Sequence, residues 1–108
     1  FTYVKDVVGA LMALMECEEA IGEVINIGGI EEVAIADLAN RVVETVGSPS
    51  KLEFIPYDQA FGKDFEDMQR RVPGIDKIRK FVGFEPKTTL QEIIESVVNS
   101  IRNPELGN

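Results

Sequence analysis

The chain has 108 residues, 44% of them apolar and 28% charged, with a net charge of −8. That size and balance predict one small globular domain with a real core and exclude a disordered chain. The acidic balance excludes a general affinity for nucleic acid, every apolar run is too short to cross a membrane, and the absence of histidine excludes Ser-His-Asp and Cys-His nucleophiles.

Phe1–Val4 is aromatic and β-branched and predicts a short extended segment. Asp6 then precedes a run of helix formers, where its carboxylate suits the positive end of the helix dipole and can accept from free N–H groups. Apolar residues at 7, 8, 11, 12, 14 and 15 cover more than one face, so this helix is expected to be deeply buried. Cys17 reads as a packing residue. As the single cysteine it has no partner for an internal disulfide, which fits a reducing, cytoplasmic setting. No charged-then-apolar leader is visible, and a chain beginning at Phe1 is expected to be a piece of something longer.

Ile21-Gly22 breaks the helix, and 23–28 (EVINIG) predicts a strand closed by Gly28-Gly29. The glycine pair lacks the spacing of a phosphate loop and reads as a turn. Asn26, polar inside a strand, is expected to bond a loop or a ligand. Apolar positions 35, 38, 39, 42, 43 and 46 form the stripe of a one-faced helix. Ala34 cannot cap it, and Gly47 ends it before a Ser48-Pro49-Ser50 turn. Residues 51–56 (KLEFIP) predict a second short strand, and 57–68 a loop. A short helix over 75–82 is closed by Gly83. The last helix opens on Thr89-Leu90-Gln91-Glu92, a capping box, and repeats the stripe at 90, 93, 94, 97, 98 and 101. The fold class expected is therefore α/β, with about four helices and two to three short strands.

Charge is concentrated at Arg70, Arg71, Lys77, Arg79 and Lys80, five cations beside one acid, Asp76. This is a local +4 within a chain of net −8, which leaves −12 elsewhere. Arg70-Arg71 is the best candidate for function, because a guanidinium fork matches two phosphate oxygens and Pro73 stiffens the chain just after it. The alternative is a surface ion pair of these arginines with Glu66 and Asp67. Tyr3 and Tyr57 have no lysine at helical spacing and are assigned no catalysis. The many acids lack metal-ligand spacing and read as solvated surface, so no metal site is expected.

In order, FTYVKDVVGAL, GEVINIGG, VAIADLA and RRVPGIDKIRKFVGFEPKTTLQEII resemble the C-terminal part of extended short-chain dehydrogenase/reductases, the NAD-dependent nucleotide-sugar epimerases, dehydratases and decarboxylases. The resemblance implies that 1–108 is a single C-terminal substrate-binding domain, a fragment of a two-domain, homodimeric parent. An N-terminal Rossmann domain would hold NAD and carry the catalytic tyrosine and lysine. Hydride would pass from the sugar to NAD there and, in an isomerase, return to the opposite face. For this lobe the resemblance implies substrate contacts at Arg71, on the diphosphate of a UDP-sugar, and at Tyr3, near the nucleotide. It makes Asp6 a structural cap and gives Lys77, Arg79 and Lys80 structural places on their helix. It implies no catalytic residue and no NAD in this chain alone. Departures from the family pattern are Gly74 where many relatives have Asp, Phe84 for Trp and Ala34 for a Ser/Thr cap. The competing expectation is a non-catalytic interaction domain or degenerate homologue.

Overall fold

Four α-helices carry the described residues, 1–56 and 72–106 of the computed structural model. They are α1 (Val4–Met15), α2 (Ile35–Val46), α3 (Asp76–Val82) and α4 (Leu90–Arg102). The chain divides into two units, Phe1–Glu32 with Val72–Asn108, and Val33–Arg71.

The first unit is built on a small apolar nucleus. Ala10 of α1, Ile75 just before α3 and Ile78 within it form the centre, with Ile78 wholly buried at 0% exposure. Leu14, Ile25, Ile27, Val82 and Phe84 pack around them. Ile25 and Ile27 turn inward while Val24 and Asn26 face solvent, the two-residue alternation of an extended chain. Lys77 fastens this stretch to α3, its Nζ donating to Glu23 Oε2 at 2.8 Å and to the Val24 carbonyl at 3.0 Å. The Cys17 thiol donates to the Phe81 carbonyl at 3.8 Å, a packing role.

The expected α/β class is not what forms. Among the described residues there is no strand, and 23–28 and 51–56 carry no ladder of paired backbone bonds. Alternation and β-propensity extend a chain, but a strand exists only where a second backbone offers matching N–H and C=O groups. The two candidate stretches fall in different units. Residues 23–28 use their inward side chains on α1 and α3 instead. The observed fold is helical.

Two expectations for α1 also change. The helix begins at Val4, with Tyr3 as its extended N-cap residue, so Asp6 lies within the first turn rather than before it. The Asp6 carboxylate instead accepts from the Thr88 N–H at 3.3 Å, across to the approach of α4. Nor is α1 deeply buried. Only Ala10 is, while Val4 and Met15 are 65% and 87% exposed, and Val8, Leu11 and Met12 are exposed as well. An apolar helix is buried only as far as neighbours cover it, and within its unit the core reaches one side of α1.

The start of α4 is the best-satisfied point of the unit. Thr89 Oγ1 accepts from Glu92 N–H at 3.2 Å, and Glu92 Oε2 accepts from Thr89 N–H at 2.8 Å, the reciprocal cap read from the sequence. Glu31 Oε2 adds a third bond, from Leu90 N–H, at 3.0 Å. Three successive N–H groups, 88 to 90, thus donate to three different carboxylates at the positive end of a helix. Leu90 and Ile94 are buried below them.

In the second unit α2 follows its stripe only in part, since Ile35 and Val42 are exposed and no residue of the helix is fully buried. Leu38, Ala39, Val43 and Val46 are half-buried, Ala34 makes no side-chain cap, and Gly47 ends the helix in the left-handed region at φ 66°. Ser48 Oγ then accepts from Ser50 N–H at 3.0 Å, closing the expected turn.

Candidate functional site

Tyr3 is held at both ends. Its backbone carbonyl accepts from the N–H groups of Asp6 and Val7, the first bonds of α1. Its hydroxyl lies 3.2 Å from Ser96 Oγ on α4. The two helices thereby flank a groove of about 920 Å³ whose lining includes Tyr3, Lys5, Val8, Ser96, Val97 and Asn99. Its walls are mostly apolar, and Val97 and, at 74%, Ile101 stay exposed along it. Such a trough can bind a partner surface or the flat part of a ligand through contact area, with the phenol, hydroxyls and amide giving direction. Sequence reasoning singled out Tyr3 and passed over Ser96, its partner across the groove. The available signal was a polar run, Ser96, Asn99 and Ser100, at helical spacing beside the apolar stripe.

Arg71, with Arg70, Glu66 and Asp67, lies outside the described residues, as does the loop expected over 57–68. What is described begins just after it. Pro73 packs on Gly28 so closely that a Cβ added to Gly28 would stand 2.5 Å from Pro73 Cγ.

Two of the remaining cations of the cluster, Lys77 and Arg79, are engaged within the first unit. Arg79 is the fork in use: its Nε donates to Glu85 Oε1 at 2.6 Å and its Nη2 to Glu85 Oε2 at 3.1 Å. Asp76 stands 3.8 Å from the same guanidinium. The bond to Glu85 holds the Arg79 pKa above its ordinary value against some desolvation. Lys77, bonded to Glu23, draws that carboxyl below its ordinary value, first through the hydrogen bond and then through its charge. Lys77 and Arg79 are therefore structural side chains, as the resemblance implied. Two of the five cations of the +4 cluster are thus taken up by carboxylates.

The glycine pair was a weak candidate for a phosphate cradle. A Cβ on Gly29 would lie 2.5 Å from the Phe1 carbonyl oxygen, and Gly29 N–H donates to Thr2 Oγ1 at 2.8 Å. The space beside both glycines is filled by the chain's own atoms. Among the described residues no three Cys, Asp or Glu side chains converge as a metal site, and no helix is long and apolar enough to cross a membrane.

Comparison with known proteins gives the family. Residues 1–97 match the family model described as GDP-mannose 4,6 dehydratase, and the chain belongs to that family, within the extended short-chain dehydrogenase/reductases. It is similar to the UDP-N-acetyl-alpha-D-glucosaminuronate decarboxylase of Bacillus cytotoxicus, 30% identical over 97% of this chain and 32% of the relative. It is also similar to UDP-glucuronic acid decarboxylase 4 of Arabidopsis thaliana, 33% identical over 100% of this chain and 23% of the relative. Among solved structures, an epimerase from Methanothermobacter thermautotrophicus superposes with a TM-score of 0.79 and 31% identity, over 97% of this chain and 30% of that one. The chain thus spans a third or less of these relatives.

Proposed function

We propose that this chain is the substrate-binding lobe of an NAD-dependent enzyme acting on nucleotide sugars, with UDP-sugars as the substrate class. The observation that carries the reading is the alignment of essentially its whole length with UDP-sugar decarboxylases, in which it covers only a minor share of each protein. In this reading Arg71 pairs with the substrate diphosphate and Tyr3 lies by the nucleotide. A guanidinium fork on a diphosphate suits the role, since it stays charged when desolvated and fixes orientation as well as affinity. The lobe holds and orients substrate and takes no part in bond making. NAD and the base belong to a Rossmann domain elsewhere in a longer parent. The exposed apolar faces of α1 and α4 give that domain a surface to cover.

Calorimetric titration of the complete protein with UDP-glucuronic acid tests the reading. Saturable one-to-one binding is the expected result. Absence of binding for any UDP-sugar or for UDP itself would favour the competing interaction-domain reading, which the same apolar faces would serve.

A further inference from the structure

The apolar stripe of α4 is covered along only part of its length. Leu90 and Ile94 are buried, while Val97 and Ile101, which continue the same row, are 52% and 74% exposed. The outer face of α1 is barer still. Val4, Val8, Leu11, Met12 and Met15 recur at i, i+4, i+7, i+8 and i+11, and all five are exposed. Ala10 and Leu14, which meet the core, lie on another side of the helix. The two bare faces adjoin, since Val4, Val8, Val97 and Ile101 line one groove, and all four belong to the first unit. Lys5, Glu95 and Asn99 supply polar lining. An apolar face that runs the length of α1, about 18 Å, fits a packed protein surface and outreaches a small molecule.

We propose that the groove between α1 and α4 is the seat of the parent's other domain: an apolar surface of the same polypeptide packs along Val4, Val8, Val97 and Ile101 and completes the half-covered stripe of α4. The inference rests on the part of the reading above that gives this chain a longer parent, and it adds the residues of the contact. Length argues for this occupant, because the chain covers only 32%, 23% and 30% of the relatives it matches. A domain carried on the same polypeptide meets the groove at an effective concentration of the order of millimolar, ahead of a second copy or any other partner arriving from solution.

Two measurements on the complete protein decide. With the photocrosslinker p-benzoylphenylalanine in place of Asn99, which is exposed on the groove, peptide mass spectrometry after irradiation is expected to show crosslinks to parts of the same molecule outside 1–108. A covalent dimer would assign the groove to a second copy, and crosslinks confined to 1–108, or none, would leave it bare. Either result overturns the proposal. The second measurement is the melting temperature of Ile101→Lys. A cation suits the last turn of α4, so on a bare groove this variant melts within about a degree of wild type. Beneath a packed apolar surface the uncompensated charge is expected to lower the melting temperature by about 5 °C or more. An unmoved melting temperature therefore overturns the proposal as well. The lobe reading is judged separately, by titrating the unmodified protein with UDP-glucuronic acid. Binding there with crosslinks confined to 1–108 sinks this inference alone, whereas no binding with crosslinks outside 1–108 sinks the nucleotide-sugar role and upholds the docking.

Discussion

Replacing Glu31 tests how the first unit is tied together. Its carboxylate is the acceptor for Leu90 N–H at 3.0 Å, a bond joining residues 59 apart in sequence. Leu90 is the first residue of α4 and is buried, so the N–H left behind by Glu31→Ala has poor access to water. A hydrogen bond to a charged group contributes about 1.5–3 kcal/mol, of which the charge at a helix N-terminus supplies roughly 0.3–1 kcal/mol. Glu31→Ala is therefore expected to cost about 2 kcal/mol, and Glu31→Gln, whose amide oxygen still accepts, about 0.5 kcal/mol. For a chain of this size those values correspond to falls of about 8 °C and about 2 °C in melting temperature. Thermal unfolding followed by far-ultraviolet circular dichroism reads both. A Glu31→Ala variant melting within about a degree of wild type would refute the reasoning, as would equal losses in the two variants.

Other consequences follow from the same geometry. Gly9 lies inside α1 with open space at its Cβ position, so Gly9→Ala is expected to stabilise by up to about 1 kcal/mol in urea unfolding. Gly83 closes α3 at φ 66°, and Gly83→Ala is expected to cost about 1 kcal/mol in the same measurement. The Glu23 carboxyl, held below its ordinary value by Lys77, contributes stability that is present above the ordinary carboxylate pKa and lost as pH falls through the lowered one. The melting difference between wild type and Lys77→Met should accordingly shrink on acidification. Carbon-detected titration of Glu23 should show its pKa rising when Lys77 is replaced.

The helices were legible because their signals are local. Thr89 and Glu92 sit three apart and need nothing else to form a cap. Gly47 and Gly83 end α2 and α3 through their own freedom at positive φ. Sheet formation was not legible, because a strand is a property of two segments and EVINIG is only one. The burial of α1 failed as an expectation for a similar reason: periodicity reveals an apolar face and leaves open what covers it. Residues that act across the chain were invisible. Glu31 looked like one solvated acid among many, and Ser96 like one polar position of a helix. Gly28-Gly29 was noticed for a phosphate loop that its spacing does not make, while the steric reason for it lies with Pro73 and Phe1. For the site itself, Arg71 was singled out by a fork of charge ahead of a proline. The resemblance then narrowed a +4 patch to that one side chain.

The central claim is that one arginine of this lobe meets a nucleotide diphosphate. It is tested most directly by titrating the complete protein with UDP-glucuronic acid before and after Arg71→Ala. Losing a charge-assisted, forked contact of about 1.5–3 kcal/mol predicts a Kd raised roughly tenfold to a hundredfold, with the melting temperature unchanged. Equal affinity in the two proteins would contradict it.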